Sequence, residues 1–232
     1  MKAILVSRVA AAARFCFLAA GLGFALHAHA AGGHHFVDDA ALLEPGQCAA
    51  ESWFERESGG GRRLFHAGPS CRVGPVELGL GFERARSGDP AGTQKSVGAE
   101  LKWAHPLSET LAAGVVLSTA WQDTDPRFTG STLMFPLTWK AGSTLLVHLN
   151  LGRDFRRQGP DSFRGGLALE WSPVASWSLV AERFREGGAG AWRAGARYTL
   201  ASGTSIDVSH ARGLPGGPPA WWTVGVAWVF DR

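Results

Sequence analysis

Between residues 77 and 230 the chain sets an apolar side chain at every second position, in segments of about ten residues bounded by turn formers. The last segment is the clearest. Trp222, Val224, Val226, Trp228 and Phe230 fall on one side, and Thr223, Gly225, Ala227 and Val229 on the other. Alternation of this kind belongs to a β-strand whose two faces meet different surroundings, because successive side chains point to opposite sides of a sheet. Many such strands with aromatic rings near their ends fit a sheet that turns one face to lipid.

Twelve strands are expected, near 47–56, 62–68, 76–86, 95–104, 110–121, 131–139, 143–152, 163–171, 175–185, 190–200, 203–210 and 220–230. The first two alternate least, and without them the count would be ten. Links alternate in length. Lys140-Ala141-Gly142, the Ser172-Pro173 corner and Ala201-Ser202-Gly203 are short, whereas 85–93, 122–130, 153–161, 186–189 and 211–219 are longer and polar. Aromatic residues sort with the links. Trp103, Trp139, Trp171, Trp177, Tyr198 and Phe230 stand beside short turns, and Trp121, Phe163, Trp192 and Trp222 beside long loops. Two aromatic belts are what rings that prefer the headgroup region would form.

Residues 1–30 read as a cleavable export signal, with Lys2, Arg8 and Arg14 ahead of a short apolar stretch and Ala28-His29-Ala30 at the cleavage point. Its removal leaves basic and acidic residues equal at 20 each, which removes any net-charge argument for nucleic acid. Thirty-one Gly beside 10 Trp and 13 Phe suit a curved antiparallel sheet with an apolar outer wall. Cys48 and Cys71 then remain as a pair in an oxidising compartment, so a disulfide is the expectation. It would staple the opening hairpin to its neighbour from the second-to-third turn. Residues 31–46 are expected to form a periplasmic leader ahead of a barrel spanning 47–232.

These features resemble the Gram-negative outer-membrane β-barrels: an export signal, alternating segments, and an aromatic-rich terminal strand from Trp222 to Phe230. That strand is similar to the family's assembly signal, although Asp231 and Arg232 follow the aromatic that usually ends the chain. The resemblance implies a closed, all-β, antiparallel up-and-down transmembrane barrel in the outer membrane. It implies the lipid bilayer, the barrel-assembly machinery and small solutes as partners.

In that register the inward face carries Glu77, Glu83, Glu100, Lys102, His148, Asn150, Arg164, Glu170, Glu182, Arg193, Arg197 and Asp207. Near-balanced charges could pair and stiffen the interior, or grade a polar constriction. The function expected is a narrow passive channel for small solutes, with no cofactor. A plugged structural or surface-interaction barrel is the alternative, and a lipid-modifying enzyme or metal-binding barrel comes third. Ser209 and His210 are adjacent on a strand and so point to opposite faces, which removes the obvious nucleophile–base pair. His34 and His35, ahead of Asp38 and Asp39, could hold Cu(II), Ni(II) or Zn(II) loosely, against a flexible polar leader as the plainer reading. Arg183 shares the lipid-side face of its strand and needs either an interfacial position or a bulge.

Overall fold

The structure, a computed structural model, describes residues 34–87, 92–200 and 203–232. The expected export signal lies outside the described residues. Twelve antiparallel strands follow one another around a closed barrel: β1 Gln47–Glu57, β2 Arg63–Val73, β3 Val76–Arg86, β4 Thr93–Pro106, β5 Leu111–Gln122 and β6 Phe128–Lys140. The second half is β7 Leu145–Arg156, β8 Ser162–Val174, β9 Trp177–Glu186, β10 Ala189–Thr199, β11 Thr204–Gly213 and β12 Trp221–Asp231. β1 closes the sheet by pairing with β12 from Gln47↔Asp231 to Glu57↔Trp221, so no edge is left among the described strands. The two weakest strands of the sequence are therefore the ones that complete the ring.

The two faces differ as the alternation requires. Outward, Leu80 is 63% exposed, and Val97, Leu101, Leu117, Leu167, Leu169 and Val226 are all exposed. Inward, Lys102, Glu170, Glu182, Arg193, Arg197 and Asp207 are buried. Exposed apolar side chains around a closed ring are unfavourable against water and favourable against hydrocarbon. Trp103, Trp139, Trp171, Trp177 and Tyr198 are exposed beside the links that precede β5, β7, β9 and β11, and Trp121, Phe163, Trp192 and Trp222 beside the opposite set.

Local details depart from the sequence expectations in three places, whereas Arg183 meets one of its two alternatives. Cys71 lies within β2 rather than in the following turn, directly across from Cys48 in the β1–β2 register. The disulfide (S–S 2.04 Å) therefore crosslinks the first hairpin to itself. The Ser172-Pro173 corner is internal to β8, where the pairing with β9 shifts register between Trp171 and Val174; the turn comes after it. The 186–189 link is no long loop: Gly187 and Gly188 alone join β9 to β10, both at positive φ (60° and 90°), the backbone that a two-residue hairpin demands. Arg183 stays on the outer face without a bulge and lies 5.4 Å above the Trp192 ring near the end of β9, so a cation–π contact offsets its position.

Candidate functional site

The barrel interior is occupied. Residues 34–43, part of the segment expected to trail into the periplasm, run inside the ring and make polar contacts with inward side chains of seven strands, β2, β3, β4, β6, β7, β9 and β10. They enter no sheet, and among the described residues the hydrogen bonds of 34–43 to the strands run through wall side chains. His34, Val37, Asp39, Ala40 and Leu43 are buried there. The physical reason is that inward Phe184, Ala168 and Ala191 form an apolar patch that would otherwise face lumen water.

Phe36 stacks on Phe184 with ring centroids 4.4 Å apart and packs with Val37 against Ala168, Ala191 and Trp221. Gly166 makes this possible, since a Cβ there would come within 2.7 Å of Val37 Cγ2. Arg164 lies 5.0 Å above the Phe36 ring, and Arg193 sits 5.4 Å from Phe184 and 5.6 Å from Trp221.

Polar contacts then run down the segment. Arg193 donates to the His34 carbonyl and pairs with Glu55 (3.5 Å) and Glu182 (3.4 Å). Glu182 accepts the amides of Phe36 (3.2 Å) and Val37 (2.9 Å) and lies 3.7 Å from His35 Nδ1. Lys102 Nζ reaches Asp38 and Asp39 at 3.0 Å each. Asn150, with its amide oriented by its hydrogen bonds, donates to the Asp38 carbonyl (2.8 Å) and accepts from the Asp38 amide (2.7 Å). Thr138 accepts from Ala40 N–H (2.8 Å) and bonds His148 Nδ1 (2.9 Å), whose other nitrogen faces Glu170 at 3.5 Å. Glu77 accepts from Leu43 N–H (3.1 Å), and Arg72 donates to the Leu43 carbonyl (2.7 Å).

Two groups of the segment carry shifted acidities. Burial, with the nearby His35, Arg193 and Arg197 adding to it, lowers the His34 imidazole to about 2, so the ring is held neutral. Its two nitrogens find no hydrogen-bond partner among the described residues. Burial raises the Asp38 carboxyl above its usual range, with Lys102 pulling the other way.

Of the remaining inward residues singled out from sequence, Arg197 pairs with Asp207 at 2.6 Å, and Arg164 with Asp154 at 2.9 Å and with Glu186. Glu83 meets His66 at 3.4 Å, and Glu100 lines the open part of the lumen. Ser209 is buried inside the ring, while His210 packs against Trp222 on the outside (centroids 4.6 Å apart). His34 and His35 stack at 4.6 Å with Arg193 close by, and no group of three metal-ligating side chains gathers among the described residues. Sequence reasoning missed Asp38 and Asp39 as lumen residues, together with Glu51, Glu55, His66 and Asp154. The available signal was Phe184, an aromatic ring between Glu182 and Glu186 on the inward face of β9.

Space remains beside the segment. A cavity of about 1060 Å³ runs from Glu44, Gln47 and Gly203 at the short-turn end to Gln122, Pro126 and Gln158 at the other. Glu51, Glu77, Glu83 and Glu100 line it on β1–β4, and Arg156, Arg157 and Arg164 toward the far rim.

Residues 20–230 match the family described as uncharacterised conserved protein UCP029691. No curated protein matches the sequence. Among solved structures, the chain is similar to the KdgM porin in complex with disordered oligogalacturonate, at 12% identity and a TM-score of 0.66, covering 79% of this chain and 99% of that one. A Rh. blastica porin mutant aligns over the same shares at 12% identity with a TM-score of 0.39. The first likeness places the fold among the porin barrels.

Proposed function

The chain belongs to the family of uncharacterised conserved protein UCP029691, and we propose that it is a narrow passive channel for small solutes in the outer membrane of a Gram-negative cell. The observation that carries this reading is the cavity of about 1060 Å³, lined by residues of both barrel ends and skirting the N-terminal segment. A mixed-sign lining, acidic along β1–β4 and basic toward the far rim, would keep the passage hydrated and graded in potential. Glu77, Glu83, Glu100 and Arg164 are its polar lining. Lys102, Arg193 and Glu182 narrow it indirectly by holding the segment in place.

The same reading takes residues 1–30 as a cleaved export signal and β12 as the strand presented to the barrel-assembly machinery. The oligogalacturonate of the KdgM complex is a polyanion, and the acidic β1–β4 wall argues against the same cargo for this chain. Purified full-length protein in planar lipid bilayers should give discrete current steps. A membrane in which the inserted protein gives none would remove the channel reading and leave a plugged barrel, which the seated N-terminal segment supports as the second reading.

A further inference from the structure

The contacts of residues 34–43 are of an unusual kind for a chain's own segment. They leave the backbone ladder of the barrel untouched, because all twelve strands pair with one another in a closed circle without it. They also read the segment's main chain. Glu182, Asn150, Thr138, Glu77, Arg193 and Arg72 between them satisfy amides or carbonyls at 34, 36, 37, 38, 40 and 43. Side chains of the segment are read chiefly at an aromatic–aliphatic socket for Phe36 and Val37 and at one ammonium for Asp38 and Asp39, with Glu182 also facing His35. Main-chain satisfaction plus alternating side-chain pockets is how proteins recognise extended peptides.

We propose that this wall is a peptide-binding site for an extended segment carrying an aromatic–aliphatic pair followed by two carboxylates, and that residues 34–43 occupy it as a tethered, exchangeable ligand. Release costs the barrel no strand pairing, and it frees Asp38 and Asp39 from Lys102, which borders the cavity beside Glu100. The tether keeps the segment at an effective concentration in the millimolar range, so a free peptide competes only once the chain's own segment is weakened.

The test uses the full chain carrying Asp38→Asn and Asp39→Asn, refolded in micelles, with a fluorescent synthetic peptide of residues 34–44 as the probe. Anisotropy should show saturable binding to this chain and little to the unmodified one, whose site is filled. Adding Lys102→Gln should weaken binding on the order of tenfold or more, the loss expected for a charge-assisted contact. Protease should cut the Asp38→Asn/Asp39→Asn chain near residue 40 while the barrel survives, and spare the unmodified chain. No saturable binding, equal binding of a scrambled peptide, or equal protection of both chains would overturn the proposal. A heat-modifiable band on gels confirms that each variant has folded. The readout needs no current, so a chain that binds the peptide yet conducts nothing loses the channel reading and keeps this one.

Discussion

Removing the disulfide is the sharpest test of how the ring closes. Cys48 and Cys71 face each other across β1 and β2 and are separated by 23 positions in sequence. In the chain-entropy account, opening a crosslink over that loop frees about 11 cal/mol/K in the unfolded chain, or about 3.4 kcal/mol at room temperature. β1 is also the strand that closes the ring on β12, so the crosslink holds the strand on which closure depends. On a guanidinium slope of roughly 5 kcal/mol per M, the unfolding midpoint should drop by about 0.7 M. The assay is equilibrium unfolding in detergent micelles followed by Trp emission, comparing the oxidised chain with Cys48→Ala/Cys71→Ala. Each single substitution should give the same shift as the double, since neither thiol has a role apart from the bond. A double variant with an unchanged midpoint would refute the reasoning, for it would mean that the unfolded chain already holds β1 and β2 together.

Other expectations follow from the two faces and the occupied lumen. Leu167→Arg, exposed in the middle of β8, should destabilise the barrel by about 2–4 kcal/mol in lipid, read as reduced assembly on heat-modifiability gels. Arg197→Met should cost roughly 3–5 kcal/mol by stranding Asp207, and Arg197→Met with Asp207→Leu should recover most of it; denaturant midpoints in micelles decide this. Acid should loosen the N-terminal segment. The seated His34 has its pKa lowered to about 2, so below about 6.5 the released form takes a proton that the seated form refuses, and seating is fully present only above that pH. Between pH 6.5 and 5 the loss is about 2 kcal/mol, and it should appear as faster proteolysis near residue 40. Asp38, raised by burial, works in the opposite sense, so His34→Gln should abolish the acid loosening or reverse it.

How much of this was legible beforehand differs between wall and lumen. Alternation located β3 through β12 and their outward faces because side-chain direction in a strand is a local property with a period of two. The first two strands were faint: β1 carries Trp53 inward, stacked on His66 at 3.6 Å, and Ser52 and Arg56 on its outward face, which breaks the apolar-out, polar-in pattern. The end of β2 was missed because Pro69 reads as a strand terminator although it sits in the ladder.

The sequence by itself determined that the chain forms a ring of antiparallel strands with an apolar outer wall, aromatic margins and charged inward positions, since each of those follows from neighbours within one strand. It determined that Cys48 and Cys71 would pair, since they are the two cysteines outside the expected export signal. Only the tertiary structure decided what fills the ring. Glu77 and Arg193 grip the N-terminal segment from 34 and 159 positions away, and no periodicity reports on contacts made across a lumen. Those contacts exist only after β1 meets β12, when seven strands present inward side chains to one enclosed space and a short peptide pairs with them.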